Sequence, residues 1–130
     1  MTLSGLLSGD LPRGVYRSEE YDETAAETAA LAAGWGFAPV RGAATKRDTL
    51  EAIGAALGFG AHYGRNLDAL ADCLRDLRGP TLLLWRDWAG LAENDPTAFG
   101  AIVHVLGQAG PLAVLLAGPG PALDVPALLG

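Results

Sequence analysis

Tyr63-Gly64-Arg65-Asn66-Leu67-Asp68-Ala69-Leu70-Ala71-Asp72-Cys73-Leu74 is the stretch on which the reading of this chain turns. Gly64 closes a loop and Asn66 is placed to cap a helix, because its side-chain oxygen can accept from a free N–H of the first turn. Leu67, Leu70, Leu74 and Leu77 then recur at helical spacing and define an inward stripe. The spacing predicts a helix running to about Arg78 and stopping before Gly79-Pro80. With each residue turning about 100°, Asp68, Asp72 and Asp76 fall nearly opposite the leucines. Two aligned carboxylates on a rigid element are either a solvated face or a prearranged anion for a basic pocket on another molecule. In the first case Arg75 is their local counter-ion, at i, i+3 from Asp72 and i, i+7 from Asp68.

Outward from this segment, the elements alternate. Gly14 to Arg17 suggests a short edge strand. Ser18 is placed as the cap of an alanine-rich helix reaching about Ala33, with Glu19 and Glu20 in its first turn and Gly34 after its end. Trp35 to Val40 reads as a strand, and Pro39, which has no N–H to donate, assigns it to an edge or a strand end. Thr45 caps a helix with Leu50, Ile53 and Leu57 inward, interrupted by Gly54 at a cost of roughly 1 kcal/mol relative to alanine. Thr81 to Trp85 is a short unbroken apolar run, the pattern of a strand buried on both faces. Asp95 and Pro96 open a further helix with Phe99, Ile102, Val103 and Leu106 facing the core. Leu112 to Leu116 is the last strand, and residues 118–130, beginning Gly118-Pro119-Gly120-Pro121, read as a loosely held tail. This order predicts an α/β fold with a small parallel sheet covered by helices.

Composition narrows the function classes. The chain has 130 residues, half of them hydrophobic, with a mean hydropathy of +0.24. A single domain with a proper core is expected. No apolar run is long enough to span a bilayer, and the N-terminus lacks the basic-then-apolar pattern of a secretory signal. Cys73 is the one cysteine, so no intrachain disulfide can form, and a cytoplasmic location is the simplest expectation. The net charge of −6 disfavours direct nucleic-acid binding and suits a basic partner. The charge is unevenly spread. Residues 61–80 balance Asp68, Asp72 and Asp76 against Arg65, Arg75 and Arg78, whereas residues 1–35 set Asp10, Glu19, Glu20, Asp22, Glu23 and Glu27 against Arg13 and Arg17.

Catalytic and cofactor chemistry find little support. A nucleophilic cysteine needs a lowered pKa and a base within reach; Cys73 falls toward the buried side of its helix and reads as a small core residue. His104 lies beside a core stripe and reads as structural. The two histidines and one cysteine form no recognisable metal site, and no Gly-rich turn is followed by Lys-Ser or Lys-Thr to hold a phosphate. No cofactor is expected. Trp35, Trp85 and Trp88 read as packing residues.

The run Leu57-Gly58-Phe59-Gly60-Ala61-His62-Tyr63-Gly64-Arg65-Asn66-Leu67-Asp68-Ala69-Leu70-Ala71-Asp72-Cys73-Leu74 resembles the signature of the barstar family of ribonuclease inhibitors. Leu82-Leu83-Leu84-Trp85-Arg86 adds the family's apolar strand ending in Trp-Arg. The resemblance covers roughly residues 36–117 and leaves residues 1–35 as the N-terminal extension of a longer bacterial member. It implies a three-stranded parallel sheet packed by helices, to which the extension could add an edge strand and a helix. It also implies inhibition of a ribonuclease, or immunity to a related nuclease toxin, with the loop 60–66 and the acidic helix 66–76 over the enzyme's active site. On matching positions Asp72 takes the place of a substrate phosphate and Asp68 is its acidic neighbour. His62, Tyr63, Gly64, Asn66, Leu67 and Ala71 complete the implied contact surface. Compared with the family's prototype, His62 replaces an aromatic residue, Arg65 an acidic one and Ala71 a tryptophan. Leu106-Gly107-Gln108-Ala109 stands where the prototype adds an acidic contact. A second expectation keeps the fold and replaces inhibition: an interaction module for a non-nuclease partner, or a homo-oligomer.

Overall fold

A computed structural model describes residues 1–60, 63, 64 and 66–128. The elements follow in the order α1 (Leu3–Leu7), β1 (Val15–Ser18), α2 (Glu23–Ala32), β2 (Gly36–Arg41), α3 (Lys46–Leu57), α4 (Leu67–Leu74), β3 (Thr81–Arg86), α5 (Ala89–Asn94), α6 (Pro96–Gly107) and β4 (Leu112–Ala117). The four strands form one all-parallel sheet in the order β1-β4-β3-β2. The three-stranded sheet implied by the resemblance is thus present, and the extension adds the edge strand.

Strand order explains which face each helix covers. The step from β1 to β2 crosses the sheet in one direction, whereas β2 to β3 and β3 to β4 return in the other. Right-handed crossovers then put α2 on one face and α3 to α6 on the opposite one. The core divides accordingly. Leu83 and Trp85 of β3, with Val114 and Leu116 of β4, pack among Leu50, Ile53, Leu70, Leu74, Trp88, Phe99 and Ile102. Their alternate neighbours Leu82, Leu84, Ala113 and Leu115 pack among Leu3, Leu6, Leu7, Ala26, Ala30 and Trp35. Burial on both faces is why β3 and β4 read as unbroken apolar runs.

Pro39 sits where the sheet tolerates it. The N–H groups of Gly36 and Gly42 donate to the carbonyls of Pro80, just before β3, and of Arg86, its last residue. Odd positions of β2 therefore turn their nitrogens away from β3, and β2 is an edge strand. Three caps stand as the spacing predicts: the side chains of Thr45, Asn66 and Asp95 accept from the N–H groups of Asp48, Ala69 and Ala98. Gly34 and Gly58 take left-handed conformations after α2 and α3 (φ +82° and +74°).

Several expectations change. Ser18 is not a helix cap. It ends β1, and its hydroxyl donates to the Glu20 carbonyl at 2.6 Å, while Asp22 caps α2. The helix starts later because Ser18 is drawn into the ladder opposite Ala117. α1 and α5, each shorter than seven residues, were not expected from periodicity. α4 ends at Leu74 rather than near Arg78, because the chain tightens there: Asp76 and Leu77 donate to the carbonyls of Cys73 and Leu74, three residues back. Asp76 consequently lies beyond the helix.

The C-terminal segment is docked, not loose. Arg17 donates its N–H to the Pro126 carbonyl at 2.9 Å, and Leu128 donates back to the Arg17 carbonyl at 2.8 Å. Leu128 is buried among the residues of the α1–α2 face. Gly120 lies so close to Trp88 that a Cβ there would meet its ring at 2.4 Å. The tail thereby covers the outer edge of β1, an edge that would otherwise present unpaired backbone groups.

Candidate functional site

The site is built on the α3–α4 junction. Gly58 turns the chain back, and the Phe59 N–H donates to the Gly54 carbonyl at 2.8 Å. Phe59 and Tyr63 then pack ring against ring, with centroids 5.3 Å apart. The Tyr63 ring lies directly over Gly54: a Cβ on Gly54 would stand 2.5 Å from Tyr63 Cε2. The glycine that weakens α3 locally is thus the seat of the loop aromatic.

Asn66 joins the loop to the helix. Its Oδ1 accepts from the Ala69 N–H at 2.8 Å, and its Nδ2 donates to the Gly64 carbonyl at 3.4 Å. Gly64 is closely confined, since a Cβ there would approach Asn66 Nδ2 to 3.2 Å and Ala69 Cβ to 3.4 Å. One side chain therefore caps α4 and holds the preceding turn.

The inward face of α4 is anchored by Leu70 and Leu74, both buried, with Leu67 packed at the core's margin. Asp68 and Asp72 are exposed, while Ala71 and Cys73 are half-buried on the flanks. Asp68 stands in the first turn, where the helix dipole favours an acid. Asp72 is paired: Arg75 Nη1 lies 2.5 Å from its Oδ1, with the two side chains 74% and 71% exposed. Among the described residues Arg75 makes no corresponding pair with Asp68. Both carboxylates thus occupy one outer face, as the spacing predicts, and the local counter-ion has chosen the second of them.

A cleft of about 390 Å³ opens beside this face, between the C-terminal ends of α4 and α6. Ala71, Leu74 and Arg75 line one side and His104, Val105 and Gln108 the other. His104 is exposed at the end of α6, so its expected structural role in the core margin does not hold. α6 presents Phe99, Ile102 and Leu106 inward instead. The cleft was not legible in the sequence, because its lining residues come from α4 and α6 and the turn after α6, far apart in the chain.

Of the expected contact residues, the structure brings Tyr63, Gly64, Asn66, Leu67, Asp68, Ala71 and Asp72 onto one loop and helix. His62 and Arg65 lie outside the described residues. Among the described residues, no group of three or more His, Cys, Asp or Glu is placed to hold a metal ion. No described helix is long and apolar enough to cross a membrane.

The model of the Barstar (barnase inhibitor) family matches residues 38–112. The match runs from within β2 to the first residue of β4 and takes in the whole α3–α4 junction. This chain belongs to the barstar family, a family of ribonuclease-inhibitor type. α1, β1 and α2 lie outside the match. No curated protein matches the chain.

Proposed function

We propose that this protein inhibits a ribonuclease, or confers immunity to a related nuclease toxin, in the cytoplasm. The loop 60–66 and the outer face of α4 cover the enzyme's active site, and Asp72 occupies the place of a substrate phosphate. Asp68 adds a second acid for the same cationic pocket. The observation that carries this reading is the rigid presentation of the two carboxylates. Leu70 and Leu74 fix α4 from behind, Asn66 caps its first turn, and both aspartates face solvent. A preorganised anion of this kind loses little entropy on docking and complements arginines, which bind carboxylates through paired N–H groups.

Titration calorimetry against small basic ribonucleases tests the reading. Asp72→Ala is expected to weaken binding on the order of a hundredfold or more, the scale measured for desolvated charge pairs in protein complexes, this family's among them. Equal affinity of parent and variant would remove Asp72 from the mechanism.

A second reading has one observation in its favour. Asp72 is already matched by Arg75 on a surface of mixed charge, as suits an interaction module whose partner is not a nuclease. Co-purification from the source cell separates the two: a basic nuclease supports the first reading and a non-nuclease protein the second.

A further inference from the structure

The proposed inhibitory acid is not bare. Arg75 lies one turn further along, with its guanidinium on one oxygen of Asp72. A basic partner therefore meets a carboxylate already engaged by a cation of the same chain. Arg75 also lines the α4–α6 cleft, where its neighbours include Gln108, the residue that caps the end of α6. Backbone carbonyls at a helix C-terminus carry partial negative charge and favour a cation. The cleft therefore offers the guanidinium a second seat.

We infer that Arg75 is a built-in competitor for Asp72. It masks the carboxylate in the free protein and turns toward the α4–α6 cleft when a partner's guanidinium takes its place. The inference rests on Asp72 being the partner-facing acid, and it adds an affinity-setting residue to that site. An exposed ion pair contributes little, so the mask is readily displaced by a cation that bonds both carboxylate oxygens in a water-excluded interface. The cost of unmasking belongs to the free protein, so the competitor lowers affinity by the same small factor for every partner that displaces it.

The test is a double-mutant cycle on the full chain, with binding of a panel of small basic ribonucleases, barnase among them, followed by stopped-flow kinetics and calorimetry. Arg75→Ala is expected to bind about two- to fivefold more tightly than the parent. In the Asp72→Ala background the same change is expected to have no effect, because no carboxylate remains to be unmasked. An equal gain in that background would mean that Arg75 merely repels a basic partner, and would overturn the inference. Unchanged or weakened binding by Arg75→Ala would overturn it as well. The underlying inhibitor reading fails by a different pattern, in which no nuclease binds or binding is indifferent to Asp72→Ala.

Discussion

The Tyr63 ring occupies the space that any side chain on Gly54 would need, with Cδ2 and Cε2 2.6 and 2.5 Å from the position of a Cβ. A residue in the middle of α3 thereby sets the position of Tyr63.

Gly54→Ala is accordingly expected to destabilise the protein, although alanine is the better helix former by about 1 kcal/mol. Overpacking against an aromatic ring costs about 1–3 kcal/mol, so a net loss of about 1 kcal/mol is expected in urea denaturation. The same variant should bind a nuclease less well, because Tyr63, one of the proposed contact residues, is displaced. A gain in stability would show that Tyr63 moves aside without cost.

Asn66→Ala removes the acceptor for the Ala69 N–H and the donor to the Gly64 carbonyl. Loss of a cap of this kind costs about 1 kcal/mol. Asn66→Asp keeps the cap and loses only the donor, so denaturation should recover most of the stability. The fraction of binding that Asp fails to recover measures the hold on Gly64.

Leu128→Ala is expected to destabilise by about 2 kcal/mol, at the lower end of the range for a buried leucine. Leu128 is 3% exposed and its N–H is bonded to β1. A loosely held tail would give no measurable change. Hydrogen exchange at the Arg17 amide, which donates to Pro126, should quicken in the variant.

Much of the fold can be read locally. The caps at Thr45, Asn66 and Asp95 depend on residues three apart, and the leucine stripe of α4 on residues three and four apart. Pro39 declares an edge because its nitrogen lacks a hydrogen. The failures have a common form. Ser18 has the chemistry of a cap, yet pairing with Ala117 overrides it. Arg78 continues the helical pattern, yet the chain tightens after Leu74.

By itself, the sequence determined the order of the major elements, the double burial of β3 and β4, and the outward register of Asp68 and Asp72. These follow from caps and periodicity, which act over a few residues. Only the tertiary structure decided that α1 and α2 cover a second face of the sheet, and that the tail returns to β1. It alone decided that Gly54 is kept small for Tyr63, and that Arg75 holds Asp72 beside a cleft. Each of these depends on which groups meet in space, and that is settled by the packing of the sheet and its helices.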